Sequence, residues 1–109
     1  MYIAMNRFKV IKGLENEFEA AWKGRDSQLN RMKGFMEFHL LRGSEQDDHT
    51  LYSSHTTWAS EEDFKAWTNS DAFRASHKGA GDRKPMFLGH PQFEGFHTVQ
   101  TLSLNAAAE

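Results

Sequence analysis

Tyr2, Ala4, Phe8 and Val10 share one face of a period of two, with Asn6 set among them. Ile3 and Met5 face the other way before Arg7 and Lys9 turn that side polar. The alternation predicts a strand over residues 1–10. After Lys12 and Gly13, the residues Leu14, Phe18, Ala21, Trp22, Arg25, Leu29 and Met32 recur at steps of three and four. That spacing predicts an amphipathic helix, interrupted near Gly24 and ended by Gly34. The tracts FMEFHLLRG at 35–43 and HTLYSSHTTWAS at 49–60 flank the polar SEQDD, which predicts a β-hairpin. Ser60, with Asp63 three positions on, is placed to cap a helix carrying Phe64 and Trp67. Ser70 then restarts the count for a second helix bearing Phe73 and His77, closed by Gly79. Residues 79–91, GAGDRKPMFLGHP, hold three of the glycines and both prolines and read as a long connector of the kind that is often functional. QFEGFHTVQTL at 92–102 reads as the last strand, and residues 103–109 as a tail.

The order strand, helix, strand, strand, helix pair, strand packs most economically as an α+β fold. It is a ferredoxin-like antiparallel sheet with its helices on one face, in a single domain over residues 1–102. The apolar residues on both faces of the first strand lead us to expect a second subunit over the bare face, in a symmetric homodimer.

Composition narrows the partners. A chain of 109 residues supports one packed core. Aromatic residues make up 13% of it, nine of them Phe, which calls for a core, an interface or a planar ligand. A formal charge of -2 without a Lys/Arg block argues against nucleic acid. With no cysteine, disulfides, thiolate nucleophiles and Cys-ligated metals are excluded. The N-terminal sequence lacks the pattern of a signal peptide and no stretch is long and apolar enough for a membrane span, so the expected location is cytoplasmic.

Asn6 is the first anomaly, because an amide on an otherwise apolar strand face is costly unless it finds a partner. It is either a satisfied core or edge amide or a donor aimed into a ligand cavity. Trp67 alone reads as a core aromatic, and His77, four residues after Phe73, as a hydrogen-bonded imidazole on the same helical face. Together the three describe an apolar cavity between helices and sheet with one imidazole and one amide, a site for a flat apolar ligand. Trp22 stands either in the core or beside that ligand. His39, His55 and His97 fall on three different expected strands, without the spacing of a metal site. His49 and His90 fall in expected loops. Glu61, Glu62 and Asp63 form a solvated first helical turn, so no carboxylate pair suited to glycosidase chemistry is present.

The segments AMNRF at 4–8 and FKAWTNSDAFRASHKG at 64–79, with the element order across residues 1–102, make the chain resemble the IsdG-type heme-degrading monooxygenases. These belong to the antibiotic biosynthesis monooxygenase superfamily of dimeric α+β barrels. The resemblance implies that Asn6, Trp67 and His77 act together on heme, which is both cofactor and substrate. It makes His77 the axial ligand of the heme iron, Trp67 the side chain that bends the macrocycle, and Asn6 a hydrogen-bond donor on the oxygen-binding side. It further implies ring opening with O2 and release of iron. The chain has no flavin or nicotinamide motif, so electrons come from an external reductase or small reductant. Arg83 and Lys84, in the expected connector, are candidates by charge to meet the heme propionates. Two other readings use the same cavity: a cofactor-independent monooxygenase of a polyaromatic substrate, and a heme carrier without turnover.

Overall fold

In a computed structural model, residues 1–25, 28–76 and 85–104 are described. The elements are β1 (Tyr2–Ile11), α1 (Glu15–Lys23), a 3-10 turn (Leu29–Arg31), β2 (Phe35–Glu45), β3 (His49–Trp58), α2 (Glu61–Thr68), α3 (Asp71–Ser76) and β4 (Phe87–His97). The strands form one sheet in the order β2-β3-β1-β4, every neighbouring pair antiparallel. This is the ferredoxin-like arrangement expected from the element order. Among the described residues no helix is long and apolar enough to cross a membrane.

The period of two in β1 sets the layers. Tyr2, Ala4, Phe8 and Val10 are buried on the side the helices cover. The core they begin divides into two clusters. Tyr2 and Ala4 pack with Trp58 and Trp67, backed by Phe64 and Phe73 of α2 and α3. Phe8 and Val10 pack with Phe18 of α1 and Tyr52 of β3. Asn6 lies between them on the same face.

The expected long first helix is in pieces. It stops at Lys23 with Gly24 as its C-cap, and Gln28, at φ 58, is left-handed before the 3-10 turn begins. A left-handed residue cannot continue an α-helix, so the apolar spacing to Met32 survives as two separate elements. Gly34 has φ +81, and a Cβ there would run into the Asp63 carboxylate. It therefore turns the chain into β2 at a point only glycine fits.

Both expected caps are present. The Ser60 hydroxyl accepts from the Asp63 backbone N–H at 3.1 Å, and the Ser70 hydroxyl accepts from the Phe73 N–H at 3.1 Å. Ser60→Ala is expected to lower stability by about 1 kcal/mol, measured by urea denaturation. An unchanged midpoint would mean that tertiary packing alone holds α2.

The last strand departs from the sequence expectation. It runs over Phe87–His97 and not over 92–102, so the connector ends earlier than residue 91. Its pairing shifts between Arg7↔Gln92 and Lys9↔Leu88, leaving Gly89, His90 and Pro91 in a bulge. The strand is at the sheet edge and the bulge has no ladder bonds to make, so neither Pro91 nor Gly89, at φ +65, ends it. His90 accordingly lies in β4, and His49 opens β3, where loops were expected. His77, Gly79, Arg83 and Lys84 lie outside the described residues.

Candidate functional site

Between the two clusters, strand register lays out the helix-covered face of the sheet around Asn6. Asn6 stands opposite Ser54 of β3 on one side and Phe93 of β4 on the other, and Ser54 in turn faces Leu40 of β2. The next row is Phe38, Thr56, Ala4 and Gly95. Gly95 has no room for more, since a Cβ there would meet the Tyr2 phenol. The floor is thus small or polar at its centre, with larger apolar side chains toward its edges.

Stacked aromatic pairs flank this floor. Trp22 of α1 lies on Phe38 with centroids 5.7 Å apart and planes 17° apart. Phe64 of α2 lies on Phe93 at 5.6 Å and 9°. From β2 to β4 is three strand spacings, roughly 14 Å. The aromatic surface is therefore spread across the breadth of the sheet, and Phe93 is half exposed.

Trp22 is partly buried, and the Arg25 guanidinium sits 4.2 Å over its ring, a cation–π contact. It lines an open cavity of about 330 Å³ with Glu19, Lys23, Phe38, Leu40, Arg42 and Tyr52. The sequence left Trp22 between the core and a place beside the ligand, and the structure packs it against Phe8 in the core. The cavity opens on the β2 side of the groove and its lining does not reach Asn6 or Trp67.

A polar network closes the cavity's outer wall. The Tyr52 hydroxyl donates to Glu19 Oε2 at 2.5 Å, Arg42 Nε donates to the Tyr52 oxygen at 3.0 Å, and Arg42 also pairs with Glu19. The Tyr52 hydrogen bond, then Arg42, holds the Glu19 carboxyl below the usual carboxylate range. Burial first, then Glu19, pushes the Tyr52 phenol up. At neutral pH Glu19 is a carboxylate and Tyr52 a neutral donor, so the wall is fixed in one hydrogen-bonding pattern.

Trp67 is 6% exposed, stacked on Trp58 at 6.4 Å and met edge-on by Phe73 at 5.4 Å. It belongs to the cluster that contains Ala4, the neighbour of Asn6 on the same strand face. Asn6 is partly buried, and among the described residues its side-chain amide has no hydrogen-bond partner.

The remaining histidines are dispersed. His39 and His55 are neighbours, with ring centroids 6.1 Å apart, on the helix-free face. His97 is on the other face, against Tyr2 at 5.1 Å and Glu61 at 3.2 Å. Among the described residues no three metal-ligating side chains of His, Cys, Asp or Glu come together.

Sequence reading missed Phe38, Ser54 and Phe93. Phe38 carried a signal in the alternation of the β2 tract. Ser54 and Phe93 become visible only once register places them beside Asn6.

The antibiotic biosynthesis monooxygenase family matches residues 1–79. A heme oxygenase (staphylobilin-producing) of Staphylococcus saprophyticus is 30% identical over 84 residues, which cover 77% of this chain and 80% of that protein. A heme-degrading monooxygenase of Shouchella clausii is 30% identical over 94 residues, 83% of each. Among solved structures, the heme-degrader MhuD from Mycobacterium tuberculosis, with two hemes bound in its active site, superposes with a TM-score of 0.74. The identity is 29%, over 94% of this chain and 100% of that one.

Proposed function

The chain belongs to the antibiotic biosynthesis monooxygenase family, and from that premise we propose that it is a heme-degrading monooxygenase that opens the porphyrin ring and releases iron. The observation that carries this reading is the groove over Asn6. Two stacked aromatic pairs flank it, and among the described residues the Asn6 amide has no hydrogen-bond partner. A flat tetrapyrrole fits such a donor set, because its faces pack on aromatic rings while a single polar group addresses its centre. The relatives named as heme-degrading enzymes support the same reading.

Bound heme supplies the redox-active iron and the oxidisable ring, with O2 and electrons from an external donor. The chain's own residues do the rest. His77 would hold the iron through an imidazole nitrogen, and Arg83 and Lys84 would meet the propionate carboxylates. Trp22 and Phe38 offer a flat surface at one edge. Trp67, braced by Trp58 and Phe73, would be the indole that presses on the ring. Asn6 would offer its side-chain NH2 as the hydrogen-bond donor to the bound ring.

A second copy of the chain is the proposed cover of the helix-free face, where Leu41, Leu88 and Phe96 are 42%, 39% and 46% exposed beside Ile3 and Met5. The proposed setting is the cytoplasm, with its supply of small reductants.

Hemin titration tests the binding half of the reading. A saturable Soret band is expected, with quenching of tryptophan fluorescence as the ring approaches Trp22 and Trp67. Hemin that neither saturates nor quenches would overturn it.

A further inference from the structure

Ser54 faces Asn6 directly across the β1–β3 pairing, on the groove side of the sheet. It is 7% exposed, and no hydrogen bond of its hydroxyl is present among the described residues. Its neighbours along β3 on that face are already engaged. Tyr52 donates to Glu19 at 2.5 Å and Thr56 donates to the Ala4 carbonyl at 3.2 Å. Its neighbour on β2 is the apolar Leu40. Among the described residues paired with Ser54 or next to it on this face, Asn6 is therefore the polar side chain left, and directly opposed side chains stand within reach of each other, with Cβ atoms about 5 Å apart.

An asparagine presents an acceptor on one end of its amide and donors on the other, and which end enters the groove depends on its neighbours. In the unliganded chain the partly buried Asn6 is still reached by solvent, while Ser54 is already nearly enclosed. When an apolar ring displaces that solvent, each group must find a partner or bear the cost of burial.

We propose that Ser54 is a positioning residue: as the groove fills, its hydroxyl donates to Asn6 Oδ1 and so directs the Asn6 NH2 toward the bound ring. This rests on the reading of the groove as a porphyrin site and adds the group that decides which end of the amide does the work. The same pairing makes position 54 a determinant of how the reaction is steered, because an amide free to flip presents its acceptor as often as its donor.

The test uses isotopically labelled protein and gallium protoporphyrin IX, a diamagnetic and redox-inert probe. Asn6 side-chain amide signals are identified by their loss in Asn6→Ala. In the loaded wild type these signals should be protected from hydrogen exchange. In Ser54→Ala they should shift and lose protection with porphyrin affinity unchanged, and Ser54→Thr should restore them. Heme turnover by Ser54→Ala should fall about 10- to 100-fold, as for other residues that orient a reacting group. Identical Asn6 signals in wild type and Ser54→Ala, with porphyrin bound to both, would overturn the role of Ser54 alone. A wild-type protein that takes up no porphyrin would overturn the reading of the groove and this proposal with it.

Discussion

His77→Ala is expected to lose its Soret complex with hemin and to degrade heme no faster than a protein-free control. The reason lies in where the other imidazoles are. His39 and His55 face away from the helices, His97 is engaged with Tyr2 and Glu61, His49 lies 2.6 Å from Asp48, and His90 sits in the β4 bulge. Of these five, His97 stands one row beyond Gly95 on the helix-covered face and is held there by Glu61, while none of the others pairs within the floor rows around Asn6, so His77 has no understudy among the described histidines. Histidine is also the ligand type that leaves an opposite position free for oxygen. Added imidazole should restore part of the Soret band by filling the space the side chain left, which separates loss of a ligand from loss of the fold. Normal degradation by the variant would remove His77 from the site.

Asn6→Ala should separate binding from chemistry. The buried residues of that strand face are Tyr2, Ala4, Phe8 and Val10, and among the described residues the Asn6 amide has no partner to forfeit. Stability and heme affinity are therefore expected to stay near wild type. Turnover should fall by about 100- to 1,000-fold, the usual consequence of deleting one preorganised donor at a site of developing charge. Asn6→Asp should be as impaired, since a carboxylate accepts where the amide donates. Wild-type turnover in Asn6→Ala would show that the amide serves structure only.

The parts of this fold that were legible from sequence are those fixed locally. The alternation of Tyr2 to Val10, the caps at Ser60 and Ser70 and the break at Gly24 each depend on a few neighbouring residues, and each appears where expected. The start of β4 was not legible. Gly89 and Pro91 carry the signature of a loop, and only the edge position of the strand makes them tolerable in a bulge. The site divides in the same way. Asn6 stood out as an amide on an apolar face, whereas Ser54 and Phe93 come beside it only through pairing across three strands. Trp67 was read as either core or site, and the structure packs it in the core against Trp58 and Phe73.

The central claim is that this groove destroys the heme it binds. The direct measurement is aerobic absorbance of the hemin-loaded protein after ascorbate is added, with catalase present to remove free peroxide and a chelator to register iron. The account predicts a Soret band that decays while iron appears in proportion. A Soret band that persists under these conditions, with no iron released, would contradict it and leave a heme carrier in its place.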